Sequence, residues 1–129
     1  MARIIVIEDS PALQRLFDIT MRGTGVEVEP YLFGADGLEA AAIDPPDLII
    51  LDLGLPDLSG WDVLERLRAN PATFGIPVVI TTGETWGSIA DRASALGAVI
   101  LEKPYTGAVL RATALLHLGA RPVAVESET

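Results

Sequence analysis

The sequence has no cysteine, which excludes disulfides, thiolate metal ligands and cysteine nucleophiles. Basic residues are also few. Nine Lys and Arg residues stand against 18 Asp and Glu residues, so the formal net charge is -9. Direct binding to nucleic acid needs clustered Lys and Arg that face the phosphates, and an anionic membrane surface attracts the same kind of cluster. The charge balance therefore argues against both partners.

Long apolar runs and an N-terminal targeting signal are missing as well. The longest unbroken apolar runs, such as Ile4–Ile7 and Leu48–Leu51, are far too short to cross a bilayer. The first of them ends at Glu8-Asp9, which does not fit the apolar region of a signal peptide. We therefore expect a cytoplasmic protein that has no membrane partner.

The length and composition are those of one globular domain. The chain has 129 residues, half of them hydrophobic, which is enough to build a core. We expect residues 1–120 to form this domain. The polar residues 121–129 are expected to form a short, frayed C-terminal tail.

Two kinds of segment alternate along the chain. Short runs rich in β-branched residues predict five strands, at residues 3–8, 26–32, 47–52, 76–82 and 98–102. Apolar residues with helical spacing follow each run. The predicted buried helix faces are Leu13, Leu16, Phe17 and Thr20; Leu38, Ala41 and Ala42; Val63, Leu64 and Leu67; Ile89, Ala93 and Leu96; and Val109, Leu110, Thr113 and Leu116.

This alternation predicts a doubly wound α/β fold, with five parallel strands and five helices joined by right-handed crossovers. Ser10-Pro11 is typical of a helix start, and Ser59 with Asp62 resembles a capping box. The strands at 3–8, 47–52 and 76–82 lack polar alternation, as expected for a sheet that is covered on both faces.

Three acidic residues stand where predicted strands end. Glu8-Asp9 closes the first strand and Asp52 closes the third. Ligands of such folds bind at the carboxyl ends of the strands, so these carboxylates should meet at one edge of the sheet. Like charges held together repel and need a cation. A hard divalent ion that prefers oxygen ligands, such as Mg2+, is the natural candidate.

Two further strands end in groups that bind anions. The fourth ends in Thr81-Thr82-Gly83, which supplies a hydroxyl, and the fifth is followed by Lys103-Pro104, which supplies an ammonium. Carboxylates, a divalent cation, a hydroxyl and a lysine together form a pocket for a phosphoryl group.

In this order and spacing the residues resemble one family, the receiver domains of two-component response regulators. The resemblance covers residues 3 to 118. It depends on Glu8-Asp9, on Asp52 in DLIILDLGLPDLSGWDVL, on Thr82 in IPVVITTG, and on Lys103-Pro104. It implies the flavodoxin-like receiver fold and a signalling module whose only catalysis is its own phosphorylation and dephosphorylation.

The resemblance also implies roles for these residues. Asp52 would accept a phosphoryl group from a histidine kinase, a histidine phosphotransfer protein or acetyl phosphate, forming an acyl phosphate. Lys103 would pair with one phosphoryl oxygen. The Thr82 hydroxyl would bind another, and we prefer Thr82 to Thr81 because it lies five residues after Pro77, the usual family interval.

The same resemblance implies a magnesium site. Asp9 and Asp52 would bind Mg2+ directly, together with the backbone carbonyl of Gly54, and Glu8 would act mainly through water. Gly54 has no side chain that could steer an attacking water molecule. Glu84, two residues after Thr82, is the alternative for that task.

The chain departs from the family at its switch. The position three residues before the lysine is usually aromatic and is Ile100 here, and the segment from Gly97 to Lys103 looks one residue shorter than usual. We expect a stand-alone receiver whose switch is carried by the loop after Thr82, with Trp86 exposed there. Residues 85–118 would contact an unknown downstream protein.

Other interpretations remain open. An aspartate-based phosphohydrolase typically carries a second Asp two residues after the nucleophile, where this chain has Gly54. A pseudo-receiver would not need the complete set of site residues, and a phosphate sink would need no output surface. Asp57 and Asp62 are better placed to cap helices than to accept phosphate. We interpret His117 and Trp61 as packing residues.

Overall fold

The computed structural model describes residues 1–84 and 87–119. Five strands alternate with five helices. The strands are β1 (Arg3–Ile7), β2 (Glu27–Tyr31), β3 (Leu48–Asp52), β4 (Val78–Thr82) and β5 (Ala98–Glu102). The helices are α1 (Pro11–Thr20), α2 (Gly34–Ile43), α3 (Gly60–Ala69), α4 (Gly87–Ala95) and α5 (Gly107–His117). All five predicted strands form, and four of them are one or two residues shorter at an end than predicted.

The strands form one parallel sheet in the order β2-β1-β3-β4-β5. The chain adds strands first on one side of β1 and then on the other. The strand order therefore reverses between β1 and β3, which is where ligands bind in folds of this kind. The predicted doubly wound, five-stranded α/β fold is confirmed.

Both faces of the sheet are covered, which explains the apolar strands. Ile5 and Ile7 of β1 pack with residues of α2, α3 and α4, whereas Ile4 and Val6 pack with residues of α1 and α5. All five residues of β3 are buried. A strand in this position has no solvent-facing side, so it shows no polar alternation.

The helix starts are capped by side-chain oxygens. The Ser10 hydroxyl accepts a hydrogen bond from Leu13 N at the start of α1, and the Ser59 hydroxyl accepts one from Trp61 N at the start of α3. No side-chain bond comes from Phe33, the residue that precedes α2. The side chain of Asp57, from the loop before α3, caps this helix instead.

The prediction for α5 is partly wrong. Leu110 is buried as predicted, but the side chain that joins it in the core is Ala114. Val109 is 48% exposed and Leu116 is 75% exposed. The buried side of α5 is set by α1, because Leu110 and Ala114 pack in one cluster with Phe17.

No helix in the described part of the chain is long and apolar enough to cross a membrane. The predicted tail, residues 121–129, lies outside the described residues, as does Trp86. The domain boundary at residue 120 stays a prediction.

Candidate functional site

Three carboxylates meet at the carboxyl edge of the sheet, between β1 and β3. One oxygen from each of Glu8, Asp9 and Asp52 lies within 4.8 Å of the others. The register explains this, because Ile7 pairs with Leu51, so the next residues along the chain, Glu8 and Asp52, lie side by side. Glu8 and Asp52 are only 3% and 5% exposed, whereas Asp9 is exposed.

Lys103 joins the two buried carboxylates. Its Nζ lies 3.0 Å from Asp52 Oδ1 and 3.3 Å from Glu8 Oε1. Lys103 follows β5 directly, its backbone N–H donates to Thr82 O at 2.8 Å, and its peptide bond to Pro104 is cis. The ammonium supplies one positive charge to a cluster of three acids.

The electrostatics of the cluster shift two pKa values. Burial raises the pKa of the Glu8 carboxyl above its ordinary value, and the nearby Asp52 raises it further, while Lys103 acts in the opposite direction. Burial lowers the pKa of the Lys103 ammonium, but the hydrogen bond with Asp52 and the charge of Glu8 outweigh this and raise it overall. The folded chain therefore binds a proton at Lys103 tightly.

The two threonines at the end of β4 face different surroundings. Thr82 lines a cavity above the carboxylates, together with Gly83 and Glu84. Its Oγ1 accepts a hydrogen bond of 3.0 Å from the backbone N–H of Glu84, which ties the hydroxyl to the following loop. Thr81 pairs with Asp52 in the sheet and is not among the residues that line this cavity.

The cavity collects almost all of the residues that were predicted to form the site. Its described lining is Asp9, Asp52, Leu53, Gly54, Trp61, Thr82, Gly83, Glu84, Ile89 and Lys103. Glu8 lies beneath it, in contact with Lys103. A ligand that enters this cavity meets carboxylates on one side and an ammonium and a hydroxyl on the other.

Gly60 brings α3 close to Asp52. A Cβ at Gly60 would lie 2.6 Å from both Asp52 O and Leu53 Cα, closer than any real side chain comes. The backbone N–H of Gly60 donates to Leu53 O at 3.1 Å. A residue with a side chain at this position would displace the end of β3, so the glycine is needed for the close approach.

Asp57 holds the β3–α3 loop against α2. Its two carboxylate oxygens accept hydrogen bonds from Gly34 N at 2.8 Å and from Ala35 N at 3.0 Å. These bonds lower the pKa of Asp57. Asp57 is therefore a cap, as predicted for its side chain, but it caps α2 rather than the helix that follows it.

Trp61 connects the cavity to α4. The residue was predicted to be core, and it is partly buried and also lines the cavity. The Arg92 guanidinium of α4 lies 4.5 Å from the centroid of its ring and forms an ion pair of 2.9 Å with Glu65. A cation above an aromatic face is attracted to it, so α4 is held to α3 beside the site.

Arg68 anchors the opposite end of α4. The partly buried guanidinium donates to the carbonyl oxygens of Leu96 and Ile76, both at 2.7 Å, and also to those of Phe74 and Gly97. Burial lowers its pKa. These bonds join the α3–β4 turn to the turn that follows α4, and no sequence motif indicated them.

Comparison with known proteins agrees with this geometry. The response regulator receiver domain model matches residues 4–115. The chain is 42% identical over 98 residues to the transcriptional regulatory protein KdpE of Mycobacterium tuberculosis, which covers 76% of this chain and 41% of that protein. It is 39% identical over 92 residues to the DNA-binding regulator RpaA of Synechocystis, covering 71% of this chain and 37% of that protein. The chain thus spans about two fifths of these relatives.

Solved structures show the same fold. The chemotaxis protein CheY4 of Vibrio cholerae superposes with a TM-score of 0.84 at 27% identity, covering 92% of this chain and 99% of that one. The N-terminal domain of a response regulator receiver protein from Methanoculleus marisnigri gives a TM-score of 0.75 at 31% identity, covering 94% and 98%. The chain belongs to the receiver domains of two-component response regulators.

Proposed function

We propose that this receiver takes a phosphoryl group onto Asp52 with the help of Mg2+ and signals through contact with another protein. The donor is a histidine kinase or a histidine phosphotransfer protein. One observation carries the proposal: a buried carboxylate at the end of a central strand faces an open cavity that is also lined by Asp9, Lys103 and the Thr82 hydroxyl, with Glu8 beneath it.

Asp52 is better placed than its neighbours to act as the nucleophile. Both oxygens of Glu8 are engaged, Oε1 with Lys103 and Oε2 with Ser10 N. Both oxygens of Asp57 cap α2. Asp52 Oδ1 contacts Lys103, whereas Oδ2 lies on the side of Gly54, where a Cβ would approach it to 3.8 Å. Gly54 and Asp52 line the same cavity, so a phosphorus atom could approach Asp52 from that side.

In the proposed reaction a carboxylate oxygen of Asp52 attacks the phosphorus of a phosphohistidine. The new O–P bond forms as the P–N bond breaks, and the imidazole leaves as the neutral base after it gains a proton. Lys103 exchanges its contact with Asp52 for one with a phosphoryl oxygen. The Thr82 hydroxyl, whose oxygen already accepts a hydrogen bond from Glu84 N, donates a hydrogen bond to a second phosphoryl oxygen.

The acid cluster fits a magnesium ion. Receiver domains bind Mg2+ at an acidic pocket, and Glu8, Asp9 and Asp52 form such a pocket here. These are hard oxygen donors, and the Lys103 ammonium contacts only two of the three carboxylates, those of Glu8 and Asp52. Asp9, Asp52 and the Gly54 carbonyl would hold the ion, with Glu8 acting through water. When bound, Mg2+ neutralises charge on the carboxylates and on the incoming phosphoryl group.

We propose that the output surface lies within residues 85–118, of which the structure describes 87–118. The first turns of α4 reach the site, because Ile89 lines the cavity beside Thr82 and Glu84. Movement of Thr82 toward a phosphoryl group would pull the loop that leads into α4. Apolar side chains on β5 and α5, including Val99, Val109 and Leu116, are exposed and available to a protein partner.

The switch we propose does not depend on a rotating aromatic ring. Ile100 occupies the family's aromatic position, is partly buried and packs against the core that contains α3 and α4. A β-branched aliphatic side chain has a restricted χ1 angle and no ring to exchange between buried and exposed sites. The loop after Thr82 is therefore the element that transmits the change.

Acetyl phosphate provides the test of phosphorylation. The protein is incubated with acetyl phosphate and Mg2+, and its intact mass is measured. We expect the mass of one added phosphoryl group in wild type, and none when EDTA is present or in Asp52→Asn. Asp57→Asn is the matched control and should accept phosphate as wild type does. Undiminished phosphorylation of Asp52→Asn would overturn the proposal.

A further inference from the structure

Gln14 is a buried polar residue of α1 that the mechanism above does not use. Only 8% of its surface is exposed. Its side-chain nitrogen Nε2 donates to three backbone carbonyl oxygens: those of Val6 at 3.0 Å, Glu8 at 3.0 Å and Tyr31 at 3.1 Å. Three strand-end carbonyls thus converge on one amide group, directly behind the acid cluster.

The orientation of the Gln14 amide is set by these contacts. Rotating the amide by half a turn would place Oε1, an acceptor, against three other acceptors, so the nitrogen must face the carbonyls. The oxygen then points the other way, where it is buried and finds no hydrogen-bond partner in the described part of the chain. An unpaired buried acceptor destabilises the folded state, so the three hydrogen bonds from Nε2 must outweigh the cost of leaving Oε1 unpaired.

The bonds from Gln14 control the backbone at Glu8. The Glu8 N–H donates to Tyr31 O at 3.0 Å, and the Glu8 C=O accepts from Gln14. The backbone groups on both sides of the Glu8 Cα are therefore held. The Glu8 carbonyl belongs to the peptide group that leads into Asp9, so its direction decides where the exposed Asp9 carboxylate points.

We infer that Gln14 is a positioning residue for the acid pair: by holding the Glu8–Asp9 peptide group it sets the affinity of the site for Mg2+. This inference depends on the proposed magnesium site. Without the Nε2 donor, the Glu8 carbonyl would lose the hydrogen bond that fixes its direction, whereas the Tyr31 carbonyl would keep its bond from the Glu8 N–H. The peptide group would turn, and Asp9 would no longer share a cation with Asp52.

Magnesium binding to the unphosphorylated protein tests the inference without any turnover. Isothermal titration with MgCl2 is performed on wild type, Gln14→Met and a control, Thr73→Val. Thr73 is a good control because its buried hydroxyl also donates to a backbone carbonyl, that of Leu67 at 2.7 Å, and the turn that carries it is not part of the site. Melting temperatures in EDTA are measured for each protein.

Both variants should melt below wild type, because each loses a buried hydrogen bond. Only Gln14→Met should bind Mg2+ more weakly, by about tenfold, the loss typical of residues that hold a metal ligand in place. If Gln14→Met does not fold, Gln14→Asn is used instead, because its shorter side chain withdraws the amide from the three carbonyls by one methylene. The same weakening of Mg2+ binding is expected. Wild-type Mg2+ affinity in the folded variant would overturn the inference.

The two proposals fail in distinguishable ways. Normal Mg2+ binding by wild type and by Thr73→Val, with no change in the Gln14 variants, overturns only the role of Gln14. No Mg2+ binding by wild type overturns the magnesium site and the inference with it. Equal weakening in Gln14→Met and Thr73→Val would show a general effect of stability, and it would also overturn the inference.

Discussion

Lys103 Nζ lies 3.0 Å from Asp52 Oδ1, although 51 residues separate the two along the chain. The same nitrogen also contacts Glu8, so one ammonium serves two buried carboxylates. Removing one partner of such a group leaves the others as uncompensated buried charges. The unphosphorylated site therefore depends on Lys103 for its stability as well as for its proposed chemistry.

Lys103→Met tests this dependence. The variant should lose roughly 1–3 kcal/mol of unfolding free energy in EDTA, less than a fully buried pair would lose, because the lysine is partly exposed. Mg2+ should then raise its stability by more than it raises that of wild type, since the ion replaces the missing positive charge. Urea unfolding with and without Mg2+ measures both effects. An equal stabilisation by Mg2+ in the two proteins would contradict the view that Lys103 and Mg2+ neutralise the same carboxylates.

Asp9→Asn should separate repulsion from metal binding. Removing one of the three clustered acids relieves repulsion, so the metal-free variant should melt above wild type. The same change removes a proposed ligand, so Mg2+ should no longer raise its melting temperature by mass action. Glu39→Gln, an exposed acid of α2, is the charge-matched control and should keep the Mg2+ effect. Mg2+ shifts of equal size in wild type and Asp9→Asn would count against the site.

Asp57→Ala should destabilise the protein in a pH-dependent manner. Hydrogen bonds from Ala35 and Gly34 hold the pKa of Asp57 below its ordinary value of 3.8, so the ionised form stabilises the folded state. This contribution is complete above the pKa of the unfolded chain and is lost as the pH falls through the lower, folded-state pKa.

The measurement is urea unfolding of wild type and Asp57→Ala between pH 7 and pH 3. The difference in unfolding free energy should be constant at neutral pH and should shrink at the acidic end. Asp62→Ala serves as a control because it removes an acid from the neighbouring helix start without removing the bonds to α2. A difference in unfolding free energy that grows as the pH falls would contradict the capping role of the ionised Asp57 side chain.

The response to a phosphoryl mimic should be uneven along α4. Ile89 lines the site, whereas Arg68 holds the carbonyls of Leu96 and Gly97. On addition of beryllofluoride and Mg2+, amide NMR shifts should therefore be larger in residues 87–91 than in residues 94–97. Tyr105 should also shift, while Ile100 changes little. Changes confined to Asp9, Asp52 and Lys103 would favour a phosphate sink over a signalling output.

The sequence predicted those parts of the fold that depend on local pattern. Val63, Leu64 and Leu67 of α3 are all buried, as their spacing indicated. The same reasoning was wrong for half of the α5 face, because it favoured large apolar residues. The structure buries Ala114 instead, where a small side chain packs against α1. Which side of a helix is buried depends on the neighbouring helix as well as on its own residues.

The site also has a part that the local sequence pattern predicts and a part that it does not. Carboxylates at strand ends meet because parallel strands end at one edge, and a strand pattern is enough to predict that. The contacts of Asp57, Gln14 and Arg68 join residues that lie up to 23, 17 and 29 positions apart. Each contact depends on how two segments that are distant in sequence pack together, and no local sequence pattern specifies such a contact.

Phosphorylation of Asp52 itself is tested most directly by locating the acyl phosphate. After incubation with acetyl phosphate and Mg2+, borohydride reduction converts a phosphorylated aspartate to homoserine, and peptide mass spectrometry then identifies the position. We expect homoserine at position 52 alone, absent without Mg2+ or acetyl phosphate. Homoserine at Asp9, Asp57 or Asp62, with Asp52 unmodified, would contradict the assignment of Asp52 as the phosphoacceptor.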